Sequence, residues 1–307
     1  MTELSMRDAF LNELYGIARR DRNVVLLSND FGAPSLDKFR RDLPGQFVHM
    51  GVAEQNMVNV AAGLAMAGKI VYMYSISPFL PLRCYEQIRV HLCFKGLHVT
   101  GVGVGAGFAY DKSGPTHHSV EDIAAMRVLP NMTILSCSDR VMAGAFAELT
   151  YKTPGPKYIR LDREKLPKMY MEGSSFEYGL SEVWHGEDIA IIATGYMVHK
   201  AIEVAKAEHV AKIGVVDLYR AKPVNEKALL EIIKGYGAVM TLEEHFVDGG
   251  IGTIVAEVLN RNKWLMPLMR IGIPDQYYFE YGGREALHRI CGLDVESITK
   301  RIQEWLK

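Results

Sequence analysis

Short runs of β-branched and other apolar residues recur along this chain, each followed by a loop and a stretch with helical spacing, and that alternation limits the fold more than any other feature. Residues 7–20 place Ala9, Phe10, Leu14, Ile17 and Ala18 on one helical face. Residues 23–28, 70–74, 97–104, 132–137 and 158–163 read as strands, with helical patterns between most of them. Nearly continuous apolar strands alternating with helices predict an α/β fold of two domains, each with a mainly parallel sheet flanked by helices. The stretch from Glu164 to Ser175 is rich in Lys, Glu, Pro, Gly and Ser. It sets the expected division: a first domain over 1–165, a linker over 166–177 and a second domain over 178–307. The second unit repeats the pattern, with strands expected at 188–193, 212–217, 237–242 and 269–271, and 243–250 read as a polar loop.

Within the first unit, 47–50 reads as a short strand, Gly51 as a turn, and Met57, Val60, Ala61, Leu64 and Gly68 fall at helical spacing. Glu54 then stands in the first turn of a helix whose other face carries Val58, Ala62 and Ala65, so the helix is expected to be buried nearly all round. The positive helix terminus favours the anion of such a carboxylate, and desolvation favours its protonated form. The plain alternative is an acidic residue that complements the helix dipole.

Composition narrows the function classes. The 307 residues are 49% hydrophobic and 23% charged, ordinary for a folded enzyme-sized protein. Lys and Arg total 35 against 36 Asp and Glu, so no basic excess points to nucleic acid or an anionic membrane surface. Cys84, Cys93, Cys137 and Cys291 form no CxxC pair and sit among apolar residues, as reduced core thiols do. The charged start MTELSMRDAF has no apolar signal core and no long apolar run follows, so a cytoplasmic protein is expected.

Several polar positions are candidates by location. Asp30 follows the strand at 23–28, and ligand sites of open α/β sheets gather at carboxyl strand ends; a turn or cap role is the alternative. Phe79 and Tyr85 are placed to flank a flat ring, or to fill the core. The glycines at 101, 103, 105 and 107 alternate and lead into a loop, which departs from the GxGxxG spacing of a dinucleotide site. Residues 119–122 read as a capping box that opens a helix, leaving His117 just outside its N-terminus. His117 and Glu121 are four apart, but no further Cys or His cluster completes a metal shell, and a loop histidine there suits proton transfer or a polar substrate better. Arg160 and Arg163 close the last strand of the unit, a position that suits phosphate or carboxylate.

Taken together and in order, GVAEQNM at 51–57, FLPLRCYEQIR at 79–89, GPTHHSVEDIAAMR at 114–127 and RIGIPDQY at 270–277 resemble the thiamine diphosphate enzymes of the transketolase family over essentially the whole chain. The resemblance implies a pyrimidine-binding domain followed by the transketolase C-terminal domain. It implies that Glu54 hydrogen-bonds N1′ of the cofactor's aminopyrimidine, favouring the imino tautomer whose 4′-nitrogen takes the proton from C2. Phe79 and Tyr85 match aromatic positions against the pyrimidine, Asp30 an acidic position close to the cofactor, and His117 the histidine lining the substrate channel. Arg7, 23 residues before Asp30, and Arg163, in DREKLP, resemble arginines that grip a sugar phosphate.

The family holds Mg²⁺ and the diphosphate through a GDG element followed by an asparagine, and this sequence has no GDG. The resemblance therefore implies one half of a split transketolase. The metal ligands and diphosphate loop are expected on an N-terminal subunit, in a heterotetramer built on a dimer of this chain. Such an enzyme transfers a two-carbon ketol unit from a ketose, expected to be phosphorylated, to an aldehyde. Twelve residues before His117 the chain has Gly105 where transketolases have histidine, and Ser113 stands where they have aspartate; Asp111 is a candidate substitute. These departures keep three alternatives open: a deoxyxylulose phosphate synthase-like subunit, a 2-oxo acid dehydrogenase β subunit, and a non-catalytic regulatory or scaffold paralogue.

Overall fold

The computed structural model describes residues 4–30 and 32–307; Phe31, inside the loop read after the first strand, lies outside the described residues. Six parallel strands form the first sheet: β1 (Val24–Asn29), β2 (Phe47–Gly51), β3 (Ile70–Ile76), β4 (Val99–Val104), β5 (Thr133–Ser136) and β6 (Lys157–Leu161). In the second unit come β7 (Ser181–Trp184), β8 (Ile189–Ala193), β9 (Ile213–Asp217), β10 (Arg220–Lys222), β11 (Ala238–Phe246) and β12 (Leu268–Ile273). The second sheet runs β12-β11-β8-β9-β7, antiparallel only at its β7 edge. The expected α/β class with mainly parallel sheets is thus observed.

β10 was not legible as a strand. It leaves the second unit and pairs antiparallel with β5, completing the first sheet in the order β10-β5-β6-β4-β3-β1-β2. The two sheets are therefore tied through the backbone. An apolar cluster spans both, joining Met57, Val71 and Tyr158 of the first unit to Ile192, Leu229 and Val255 of the second. On the opposite face of the first sheet, the helices Met6–Arg20 and Arg140–Lys152 pack Phe10, Leu14 and Phe146 onto Tyr72 and Ile159. Each such fully buried side chain contributes about 1.5–3 kcal/mol.

Three local expectations are corrected. The helix Glu54–Met66 buries Met57, Val58, Ala61 and Ala62, but Gln55, Asn56, Asn59 and Met66 are exposed, so in a single chain it is buried on one face only. Residues 119–122 make no capping box. Ser119 Oγ pairs with Ser77 Oγ at 2.9 Å, and Asp122 accepts from Tyr158 and Arg160, each at 2.7 Å, so the buried network takes both side chains before the helix does. Residues 243–246 are not loop but the end of β11. Glu243 accepts from the backbone N–H of Ile251 (2.7 Å) and Gly252 (2.9 Å) at the head of the helix Ile251–Arg261, Glu244 pairs with Arg284, and His245 is buried beside them. The four cysteines are free and buried, as expected.

Candidate active site

The carboxyl ends of β1, β2, β3, β4 and β6 deliver Asp30, Glu54, Phe79, Gly105 and Arg163 along one edge of the first sheet. β1 lies between β2 and β3, so the winding reverses there, the position at which open α/β sheets bind ligands.

Glu54 opens its helix after Gly51 turns the chain at φ +66°. Met57 and Val58, both fully buried, clamp the first turn onto the sheet and leave the Glu54 side chain 7% exposed. Its Oε2 accepts from Arg83 Nη1 at 2.9 Å. The same guanidinium lies 4.3 Å from the centre of the Phe79 ring. Phe79 meets His117 edge-on at 5.1 Å, His117 faces Tyr110 at 6.1 Å, and Arg163 lies over the Tyr110 ring at 4.9 Å. An unbroken line of contacts thus joins Glu54 to Arg163.

His117 sits on a single turn, Pro115–His117, where Gly114 at φ +75° redirects the chain. Its Nδ1 is 3.0 Å from Thr116 Oγ1. Burial, and then the nearby charge of Arg83, hold the imidazole below its ordinary pKa, so it is neutral at pH 7 and offers one donor and one acceptor nitrogen. Arg7 projects from the first helix with Asp8 against it (3.2 Å), and Asp8 is fixed by Ser5 (2.7 Å) and Ser35 (2.8 Å). Burial lowers the Arg7 pKa, but Asp8 and the Tyr74 phenol outweigh it and the group stays cationic.

Asp30 and Tyr85, like Arg7, stand beside this line rather than in it. Asp30 is exposed, with Oδ1 4.0 Å from His49 Nε2. Tyr85 is half-buried and lines an apolar groove of about 520 Å³ with Val90, Cys93, Phe94, Val128 and Leu129. Asp111 accepts from the Lys112 backbone at 2.9 Å and lies next to Gly283 of the second unit. Sequence reasoning missed Arg83 and Tyr110. Arg83 lies inside the quoted 79–89 element, but no periodicity marks its pairing with a carboxylate 29 residues earlier. Tyr110 follows the glycine run in a loop that carries no pattern at all.

A buried carboxylate at a helix head, with an aromatic ring and a neutral imidazole in line with it, fits a flat ring that carries a basic nitrogen. Among the described residues no group of three or more His, Cys, Asp or Glu is arranged to hold a metal ion. Residues 2–169 match the transketolase pyrimidine-binding domain and 178–298 the transketolase C-terminal domain.

The chain belongs to the transketolase family.

It is 35% identical to an apulose-4-phosphate transketolase subunit of Phocaeicola vulgatus, over 99% of this chain and 98% of that one. It is 34% identical to the 6-deoxy-6-sulfo-D-fructose transketolase subunit SqwH of a Clostridium species, over 97% and 94% of the two chains. A solved structure described as a split gene transketolase, inactive beta4 tetramer, superposes with TM-score 0.89 at 33% identity, over 98% of both chains. These relatives are matched along almost their whole length, so this is the pyrimidine-binding plus C-terminal-domain subunit of a split transketolase, a transferase active as part of a hetero-oligomer. Its pyrimidine-binding domain implies thiamine diphosphate, and its split form implies an N-terminal subunit as partner. No helix among the described residues is long and apolar enough to cross a membrane.

Proposed function

We propose that Glu54 is the proton partner of the thiamine pyrimidine in a two-subunit, cytoplasmic transketolase that moves a two-carbon ketol unit from a phosphorylated ketose to an aldehyde. The observation that carries this reading is the line Glu54–Arg83–Phe79–His117, which sets a buried carboxylate beside an aromatic ring and a neutral imidazole. When bound, the cofactor would supply the nucleophilic carbon for ketol transfer. Glu54 would set its carboxyl against the ring nitrogen and exchange a proton with it, and Phe79 would lie against the ring. Tyr85 is read as a second aromatic residue against the pyrimidine and Asp30 as an acidic residue close to the cofactor. His117, neutral, exchanges a proton with substrate oxygens, while Arg7 and Arg163 hold the phosphate end through charge-assisted hydrogen bonds.

Mg²⁺ and the diphosphate fall to the N-terminal subunit with its GDG and asparagine. The exposed side of the helix Glu54–Met66, with Met66 60% and neighbouring Val52 76% exposed, supports an assembly in which other chains cover it, read here as a heterotetramer built on a dimer of this chain. The domain division at 166–177 belongs to the same reading. Glu54→Gln in the reconstituted pair tests it: the amide cannot supply the proton, so C2 hydrogen–deuterium exchange of the cofactor is lost while the circular dichroism melting curve is unchanged. An exchange rate equal to wild type refutes the assignment. Product formed from pyruvate alone refutes ketol transfer.

A further inference from the structure

Gly105 adopts φ +99°, and a Cβ built on it would lie 2.1 Å from Tyr110 Cε2 and 2.3 Å from Cδ2. Any side chain at 105 is thus excluded twice, by its backbone and by the tyrosine ring that fills the space. Tyr110 is 7% exposed, so the ring is fixed by its surroundings. One side of it meets His117 (6.1 Å), and the exposed Arg163 guanidinium rests over it at 4.9 Å. Burial raises the phenol pKa, and the charges of Arg163 and Arg7 pull it down, which places both cations within electrostatic reach of this one side chain. His117 therefore stands between two aromatic rings, Phe79 and Tyr110, with a cation beyond the second.

We propose that Tyr110 is a positioning residue of the sugar site: it is the platform that orients Arg163 toward the substrate's phosphate. This rests on the ketol-transfer reading above. The ring is itself covered, with His117 beside it and Arg163 over it, so its effect on the substrate passes through Arg163, and the ligand group it acts on is a phosphate. An arginine held over an aromatic ring loses less rotamer freedom when it binds an anion than one free in water, so the platform acts on affinity.

The reconstituted two-subunit enzyme tests this with Tyr110→Leu and Tyr110→Phe. Tyr110→Leu is expected to raise KM for a phosphorylated ketose at least tenfold with kcat within about threefold, and Tyr110→Phe, which keeps the ring, to stay within about twofold of wild type in both. Inorganic phosphate titrated into this chain and followed by NMR is expected to bind at least fivefold more weakly to Tyr110→Leu than to Tyr110→Phe. An active wild type with KM unchanged in Tyr110→Leu overturns the proposal and leaves ketol transfer standing. So does a joint fall of kcat and melting temperature in both variants, the signature of a structural role. If the wild-type pair transfers no ketol unit, the reading under it fails, and equal phosphate affinities in the two variants then overturn the platform separately.

Discussion

Arg284 of the second unit donates from Nη2 to Asp162 Oδ2 at 2.8 Å, and Asp162 is the residue immediately before Arg163. The same guanidinium bonds both oxygens of Glu244 (2.9 and 2.6 Å), and His288 Nε2 lies 2.5 Å from Glu244 Oε1. Burial pushes the Glu244 carboxyl up, but Arg284 and His288 outweigh it and hold it well below the usual range. Gly107, at φ +61°, is glycine because a Cβ there would lie 1.8 Å from Glu244 Oε2. One buried ion cluster thus joins the C-terminal unit to the strand end that carries Arg163.

Replacing Arg284 by Met leaves Asp162 and Glu244 without their cation in the interior. Breaking such a network by removing one partner costs about 3–5 kcal/mol, far more than loss of a surface pair. Urea denaturation should show a lower midpoint at unchanged slope. A change under about 1 kcal/mol would mean that water reaches the carboxylates and the two units are not clamped here.

His245 yields a pH dependence. Its Nε2 accepts from the Ala124 backbone N–H at 3.2 Å and its Nδ1 donates to the Phe246 carbonyl at 2.7 Å, which uses both nitrogens of the neutral ring. Burial pushes its pKa down to about 4. Between that value and the ordinary value of about 6.5 the unfolded chain binds a proton that the folded chain does not, so stability falls as pH drops through this window. The loss amounts to about 3 kcal/mol by pH 4. Comparing His245→Gln with wild type at pH 7 and pH 4.5 isolates it: the wild type should lose more stability than the variant, and equal losses would show that the ring is already protonated or solvated when folded.

The alternation of strands and helices was legible because it rests on local periodicity, and so was the place of Glu54, since a strand, a glycine turn and a small-residue helix are contiguous. Residues 243–245 were misread because three polar residues look like a loop; their partners, the helix head at Ile251–Gly252 and Arg284, lie beyond any local window. β10 is too short to announce itself and exists because β5 offers an edge. Ser119 and Asp122 fit a capping box by spacing, yet the fold brings Ser77, Tyr158 and Arg160 to them. Arg83 and Tyr110 join the candidate site only through contacts between loops at different strand ends, which no period encodes.

Arg83 links two of the proposed site residues, and its removal separates charge from packing. The Arg83 side chain is 43% exposed while Glu54 is 7% exposed, so Arg83→Met should cost more than the about 0–1 kcal/mol of a surface pair and less than the about 3–5 kcal/mol of a fully buried one. His117 responds differently. Its pKa is lowered first by burial and second by the Arg83 charge, and methionine removes only the second cause while still covering the Phe79 ring. The titration midpoint of the His117 ring protons in NMR should therefore move up in Arg83→Met, yet stay below that of an exposed histidine. At pH values near the midpoint a larger fraction of His117 is then cationic, and any step that uses the neutral imidazole should show its acid limb displaced to higher pH. A His117 midpoint identical in the two proteins would show that solvent screens the guanidinium from the ring and that the line from Glu54 to His117 is one of packing alone.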